Sequence, residues 1–317
     1  MTTSANVPKF ELVWLRTWVE VVDAGGFSKA AELIHLSQPR VSAHIANLER
    51  ALGRTLIERR VRPLELTEHG RALLPKARAV LTAAEDLIDE SLDGATLFGS
   101  LRVASFASAS SGFLPDVLAA LRREHPDVEV GVLDGDMRSI ETALADRRVT
   151  VAIRPLRPEP ADPALVSRPL WREPFMVLLP TGHPLCALES IGLEDLAGAR
   201  IITIGNPLLN SDLGYEAEAT LHASFVETPA GMVSEQPTTL ASMVRAGLGV
   251  GIVNRLATDM VRSEGLEVRA IRDLNRFRDV GIWWHSGRPL SRVSRAFIDA
   301  VLAAPLPPGT EPVPMEA

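Results

Sequence analysis

A single cysteine and an aromatic share of 5% leave several kinds of chemistry without material. Cys186 alone cannot close an internal disulfide or build a cysteine metal cluster, which suits a reducing compartment and excludes a two-cysteine redox switch. No stretch approaches the roughly 18 apolar residues of a membrane span. The opening residues, MTTSANVPKF, lack the charged start and apolar run of a secretory signal, so a cytoplasmic location is expected. Neither a GxSxG elbow nor an HExxH helix is present. His183 and Cys186 are three apart, but no other metal ligand is near them in sequence. The expectation is a protein that is not an enzyme, with no catalytic residue, no metal and no cofactor.

What is present suits a soluble globular chain: 317 residues, 46% hydrophobic and 23% charged, long enough for two or three domains. The net charge of -7 is unevenly spread, because residues 1–67 hold nine Lys/Arg against seven Asp/Glu, a local +2 that leaves -9 for the remainder. Phosphate attraction depends on local charge, so the N-terminal end is the candidate for an anionic partner.

Along the chain, Leu12, Leu15, Val19 and Val22 share one helical face, and Gly25-Gly26 ends that helix. Ser28 is expected to cap a short second helix holding Ala30, Ala31, Leu33 and Ile34. After a turn at His35-Leu36, Ser37 caps a third helix that runs to Leu52, stops at Gly53, and buries Val41, Ile45, Leu48 and Leu52. Its opposite face carries Pro39, Ser42, Ala43, Ala46 and Asn47, flanked by Arg40 and His44. This is the pattern of a helix-turn-helix. Residues 54–66 alternate weakly around Arg59, Arg60, Arg62 and Pro63 and suit a two-stranded wing.

Thr67 caps a long helix on which Leu73, Ala77, Val80, Ala84 and Leu87 alternate spacings of four and three, while Leu74, Leu81 and Ile88 repeat every seven. That period implies a partner helix, although docking on the rest of the chain would also use such a stripe. Residues 92–100 read as a hinge. From Leu101 strands alternate with helices in an open-sheet order: LRVAS, Leu114 to Glu124, VEVGVL, Met137 to Asp146, VTVAI, then MVLLP, RIITI, VGIV, a helix near Thr239 to Ala246 and a last helix from Ser291 to Ala303. The proline-rich end from Pro305 is expected to be disordered. Gly247, Gly249 and Gly251 follow a helix and enter a strand, the reverse of the dinucleotide order, so helix C-capping is the reading for them.

The segment GGFSKAAELIHLSQPRVSAHIANLERALGRTLIERRVRPLELTEHG resembles the LysR-type transcriptional regulators, with Phe-Ser, Ala-Ala, Ser-Gln-Pro, Val-Ser, Leu-Glu, Leu-Gly, two arginines three apart and Leu-Thr before Gly all in register. LADRRVTVAI and TTLASMVRAGLGVGIV resemble later parts of the same family. The resemblance implies an α+β multidomain chain: a winged helix-turn-helix over 1–66, a linker helix over 67–93 that pairs two subunits, a hinge over 94–100 and a two-lobed, periplasmic-binding-protein-like sensor over 101–304. Lobe one would take 101–163 and 268–304, and lobe two 164–267, with a tail from 305. It further implies promoter DNA and a small-molecule effector as partners, a homodimer or homotetramer, and RNA polymerase as a possible contact. A solute-binding protein or an open-sheet enzyme are the alternatives from other classes.

Within that frame Gln38, Pro39, Arg40 and Ser42 are the first candidates for DNA contact, because the start of a recognition helix meets base edges in the major groove. Arg40 can pair bidentately with guanine. The position after Ser-Gln-Pro is usually small in the family and the next reading positions often basic or amide, whereas here they are Arg40, Ala43 and His44. Arg59 and Arg62 match the family's wing arginines, and Arg60 lies between them. Ser28 can contact phosphate, but capping would explain it equally well. In the sensor, strand ends in open sheets hold ligands, which selects Ser105, Ser108, Gly135, Asp136, Thr203 and Gly205. Ser108, by its spacing from Pro115, resembles the family's effector-binding Ser or Thr, with helix capping as the plain alternative.

Overall fold

The computed structural model describes residues 10–58, 63–91, 97–205, 232–272 and 277–314. The chain divides into two compact units, 1–93 and 94–317.

In the first unit, α1 (Leu12–Ala24), α2 (Phe27–Leu33) and α3 (Gln38–Leu52) pack around Trp18, Val21, Val41, Ile45 and Leu48, with a strand pair β1 (Ile57–Glu58) and β2 (Glu65–Leu66) following. Gly25 and Gly53, both at positive φ, terminate α1 and α3 where the sequence places their ends. Two expectations shift. Leu12 is 48% exposed, because the buried face of α1 turns instead through Leu15, Trp18 and Val19. Gly26, not Ser28, holds the N-cap position of α2, so Ser28 is an exposed first-turn residue that makes no cap bond.

The strands are antiparallel, Ile57 opposite Leu66 and Glu58 opposite Glu65, and the chain then enters α4 (Glu68–Ser91). Thr67 caps that helix by accepting from the Gly70 N–H at 3.0 Å. A side chain at Gly70 would meet the Leu56 carbonyl oxygen 2.2 Å away, so only glycine lets α4 start against β1. The wing arginines Arg59, Arg60 and Arg62 lie outside the described residues.

The stripe on α4 does not behave as one seam. Ala77 is buried in the core of its own unit, with Leu73, Leu74 and Leu81 partly packed against the same core, while Val80 is 42% and Leu87 71% exposed. Ala84 is half-buried, and the Ile88 side chain lies outside the described residues. The Arg78 guanidinium, on the buried side, donates to Asp23 of α1 and ties the helix to the three-helix core.

The second unit is one continuous mixed sheet in the order β4 (Asp127–Asp134), β3 (Phe98–Ser105), β5 (Val151–Pro155), β12 (Phe277–His285), β6 (Leu165–Pro180), β10 (Val250–Asn254), β8 (Ile201–Ile204), β9 (Met232–Ser234). Its first part combines β3 (Phe98–Ser105), β4 (Asp127–Asp134) and β5 (Val151–Pro155), mutually parallel, with β12 (Phe277–His285) antiparallel to β5. Flanking it are α5 (Ala107–Gly112), α6 (Leu114–Glu124), α7 (Met137–Ala145) and the last helix, α10 (Arg292–Ala303), capped by Ser291. The second part holds β8 (Ile201–Ile204), β9 (Met232–Ser234), β10 (Val250–Asn254), β11 (Leu266–Ile271) and the short β7 (Ser190–Ile191), with α8 (Pro237–Arg245) and α9 (Arg255–Asp259).

One strand joins the two parts. β6 (Leu165–Pro180) runs 16 residues, pairing with β12 through its first ten residues and with β10 and β11 through the rest. Only its MVLLP end is legible as a strand in the sequence, because Pro169 and Pro174 argue against one. A register shift between Val280 and Gly281 of β12 absorbs the irregularity opposite Pro169.

Three further expectations are corrected. Phe98–Ser100, placed in the hinge, already belong to β3. β11, assigned from Val268 to lobe one, pairs with β6 and β7 in lobe two, so the chain returns between Ile271 and Phe277. The segment from Pro305, expected to be disordered, is instead placed as far as residue 314. Its Glu311 exchanges two backbone hydrogen bonds with Arg172 of β6, at 2.6 and 2.8 Å, on an edge that the lobe leaves open. In the Gly247 to Gly251 run only Gly247 serves the helix end. A side chain at Gly249 would meet the Arg200 carbonyl oxygen at 2.3 Å, and one at Gly251 the Leu240 side chain at 2.6 Å, so those two are close-packing positions.

Candidate functional site

Two surfaces gather polar side chains that the fold leaves available. The first is the start of α3. Ser37, Gln38, Pro39, Arg40 and Ala43 are exposed and Ser42 is half-buried, and Gln38 donates to the Ser42 hydroxyl at 3.2 Å. Arg40 has no ion-pair partner among the described residues, so its guanidinium can meet phosphate or a base edge without first breaking an existing pair.

His44 does not join this surface. It is 8% exposed, and its Nδ1 lies 2.8 Å from the Thr17 hydroxyl, which itself donates to the Val13 carbonyl. With the hydroxyl proton committed to Val13, the Thr17 oxygen is left to accept from Nδ1–H. Burial, and then the nearby Arg40 charge, push its pKa below the ordinary value. The turn of α3 places position 44 beside the inward stripe of Val41, Ile45 and Leu48, which is why a residue expected to read DNA packs against α1. At the far end of α3, the Glu49 carboxylate accepts from the Leu56 N–H at 2.8 Å, anchoring the helix to β1.

The second surface is a cavity of about 340 Å³ in the second unit, where the strand ends of its two lobes face each other. Ser108, Gly135, Asp136 and Gly205 line it, as their strand-end positions suggest. Ser105 and Thr203 do not. They are the buried residues just inside those ends, 0% and 4% exposed, and their side chains still belong to the packed sheet. Asp136 accepts from the Ser139 N–H at 2.7 Å and so caps α7.

Residues that the sequence reading did not single out complete the cavity. Phe106, Phe175, Ile204 and Ile252 supply apolar walls, Asn254 and Arg278 stand at the inner end, and Asp134, Arg138 and Glu235 are exposed at its rim. Asn254 closes β10 as Gly205 follows β8, so the strand-end rule would have found it. Nothing near Arg278 in the sequence marks it. That guanidinium bonds Glu173 through Nε at 2.9 Å and Nη2 at 2.7 Å, reaches the Ser108 hydroxyl at 3.4 Å, and stacks 4.4 Å from the Phe106 ring centre. Glu173 is fully buried, and its other oxygen accepts from the Leu256 N–H at 2.9 Å.

The histidine and cysteine pair is structural. His183 accepts from the Leu185 N–H at 3.2 Å, and burial, then hydrogen bonding to Glu267, raise the Cys186 thiol above its usual pKa. Among the described residues no cluster of His, Cys, Asp or Glu has metal-site geometry, and no helix is long and apolar enough to cross a membrane.

Comparison with known proteins agrees with this division. A family model described as "Bacterial regulatory helix-turn-helix protein, lysR family" matches residues 12–71, and one described as "LysR substrate binding domain" matches 94–305. The chain is 32% identical over 246 residues to a probable HTH-type transcriptional regulator, LrrA, of Synechococcus elongatus, covering 77% of this chain and 80% of that one. It is 27% identical over 283 residues to a hydrogen peroxide-inducible genes activator of Escherichia coli O6:H1, covering 87% and 90%. Among solved structures, a full-length OxyR variant from Pseudomonas aeruginosa superposes with a TM-score of 0.73 at 25% identity, covering 95% of this chain and 97% of that one.

Proposed function

The chain belongs to the LysR family, as a DNA-binding transcriptional regulator with an effector-binding domain, and we propose that it reads promoter DNA with the exposed start of α3 while a small molecule in the cavity sets that binding. The observation that carries the reading is the exposed row Gln38, Pro39 and Arg40 at the beginning of a helix whose other face is fully committed to the core. A recognition helix presents its N-terminal residues to base edges. Arg40 is assigned guanine O6 and N7, Gln38 and Ser42 the neighbouring edge or phosphate, and Ala43 an apolar contact. Ser28 and the wing residues Arg59, Arg60 and Arg62 are assigned the DNA backbone, which positions without specifying.

Pairing of subunits is assigned to the exposed side of α4, where Val80 and Leu87 stand in water beside the half-buried Ala84, with the inner leucines serving the core of their own unit; the heptad spacing of the sequence adds Ile88 to the same assignment. Effector closure of the two lobes across β6 then changes the presentation of the paired heads. Contact with RNA polymerase, tetramer assembly and a cytoplasmic location belong to the same proposal.

Gel shift on the intergenic DNA beside the gene, at 50 and 200 mM salt, tests the reading. Specific retention should weaken steeply with salt, because phosphate neutralisation releases counterions. Arg40→Ala should lose about 5- to 150-fold of preference over random DNA, the range that one bidentate base contact of about 1–3 kcal/mol supplies. Equal binding to random DNA by the unmodified protein would sink the proposal.

A further inference from the structure

The inner wall of the cavity offers hydrogen-bond donors and no net charge. Asn254 is 5% exposed, lines the cavity, and its side-chain N–H₂ has no partner among the described residues. A buried amide donor left unpaired is costly, so a group that accepts from it gains more than an exposed contact would. The neighbouring donors are the Ser108 hydroxyl, 3% exposed, and Arg278. Arg278 has its charge cancelled by Glu173, which is fully buried and has both oxygens occupied. A carboxylate drawn to this end would lose its hydration and meet no uncompensated cation. At the rim, Asp134 and Glu235 outnumber Arg138, so the entrance also disfavours an anion.

We propose that the effector is a small uncharged molecule with a carbonyl or carboxamide acceptor and a flat apolar body, and that Asn254 is the residue that recognises its acceptor. The acceptor lies against Asn254, Ser108 and Arg278, and the body lies between Phe106 and Phe175. The volume of about 340 Å³ equals roughly eleven waters at about 30 Å³ each, which fits a single-ring compound. This inference rests on the effector reading above and names the chemical class that the site takes.

Thermal melting of the full-length protein with matched probes tests it: benzamide and nicotinamide, benzoate and nicotinate, and benzylamine, each at millimolar concentration. The amides should raise the melting temperature by about 2 °C or more, with the two carboxylates inert. Asn254→Leu should abolish the amide shift while melting cooperatively on its own. Should that variant fail to fold, the near-isosteric Asn254→Asp, which replaces the side-chain N–H₂ donor with an acceptor, should lose the amide shift in the same way.

Carboxylates that stabilise as well as amides would overturn the proposal, as would an amide shift that survives in folded Asn254→Leu, or no shift from either amide. Gel shift on the same preparation separates the two ideas. Specific DNA retention alongside failed amides refutes the ligand class alone, whereas lost retention refutes the regulator reading beneath it.

Discussion

Arg40 and Arg278 are the two arginines that matter most, and they work in opposite conditions. Arg40 stands exposed at the start of α3 without an ion-pair partner among the described residues, whereas Arg278 has a side chain only 10% exposed and is bonded twice to a fully buried Glu173. A free surface guanidinium is available to a partner and contributes little to folding. A buried paired one is part of the architecture, and its partner cannot be removed without leaving a charge in a dry place. Under the proposed function the head therefore reads with an exposed charge, whereas the sensor presents donors beside an arginine whose charge is paired.

The sharpest way to break this contrast is Glu173→Ala. Leaving Arg278 unpaired should cost the sensor unit about 3–5 kcal/mol, read as an earlier transition in urea, whereas Arg40→Ala should change stability by less than about 0.5 kcal/mol. Similar losses from both substitutions would erase the distinction.

Next in size is the effect expected at α4. Val80→Glu together with Leu87→Glu places charge on the exposed seam and should convert dimer to monomer by light scattering after size exclusion. An unchanged mass would return the seam to plain solvent exposure.

A smaller effect belongs to His44. Because its folded pKa lies below the ordinary 6.5, the unfolded chain takes up a proton there before the folded chain does. The stability it contributes is full above about pH 6.5 and is lost as pH falls through the folded value. Urea midpoints between pH 8 and pH 5 should therefore fall less steeply in His44→Gln than in the unmodified protein, and parallel slopes would count against a lowered His44 pKa.

The smallest effect concerns Cys186. Its raised thiol pKa keeps it protonated, and no second cysteine exists to pair with. DNA binding here should be indifferent to hydrogen peroxide and to Cys186→Ser, judged by gel shift before and after oxidation.

The legibility of the two units differs for a physical reason. Val41, Ile45 and Leu48 fall on one side of α3 because helical geometry decides it locally, and Gly53 stops the helix by its own conformational freedom. Local rules fail where a contact comes from far along the chain. His44 turns inward to reach Thr17 in α1. β6 runs through two prolines, the first of them opposite a register shift in β12. The proline-rich end is ordered by Arg172, which precedes it by more than a hundred residues.

The same division runs through the sites. Gln38, Pro39 and Arg40 were legible as a contiguous motif, and Ser108, Gly135, Asp136 and Gly205 as strand ends. Glu173 and Arg278 pair only after the sheet has formed, and their sequence separation hides the pairing. The amino-acid sequence by itself therefore determined the family, the helices of the head and the candidate reading residues, since those rest on periodicity and short motifs. Tertiary structure alone decided which donors the cavity leaves unpaired and which charge it cancels, because desolvation depends on neighbours that the linear order does not place together.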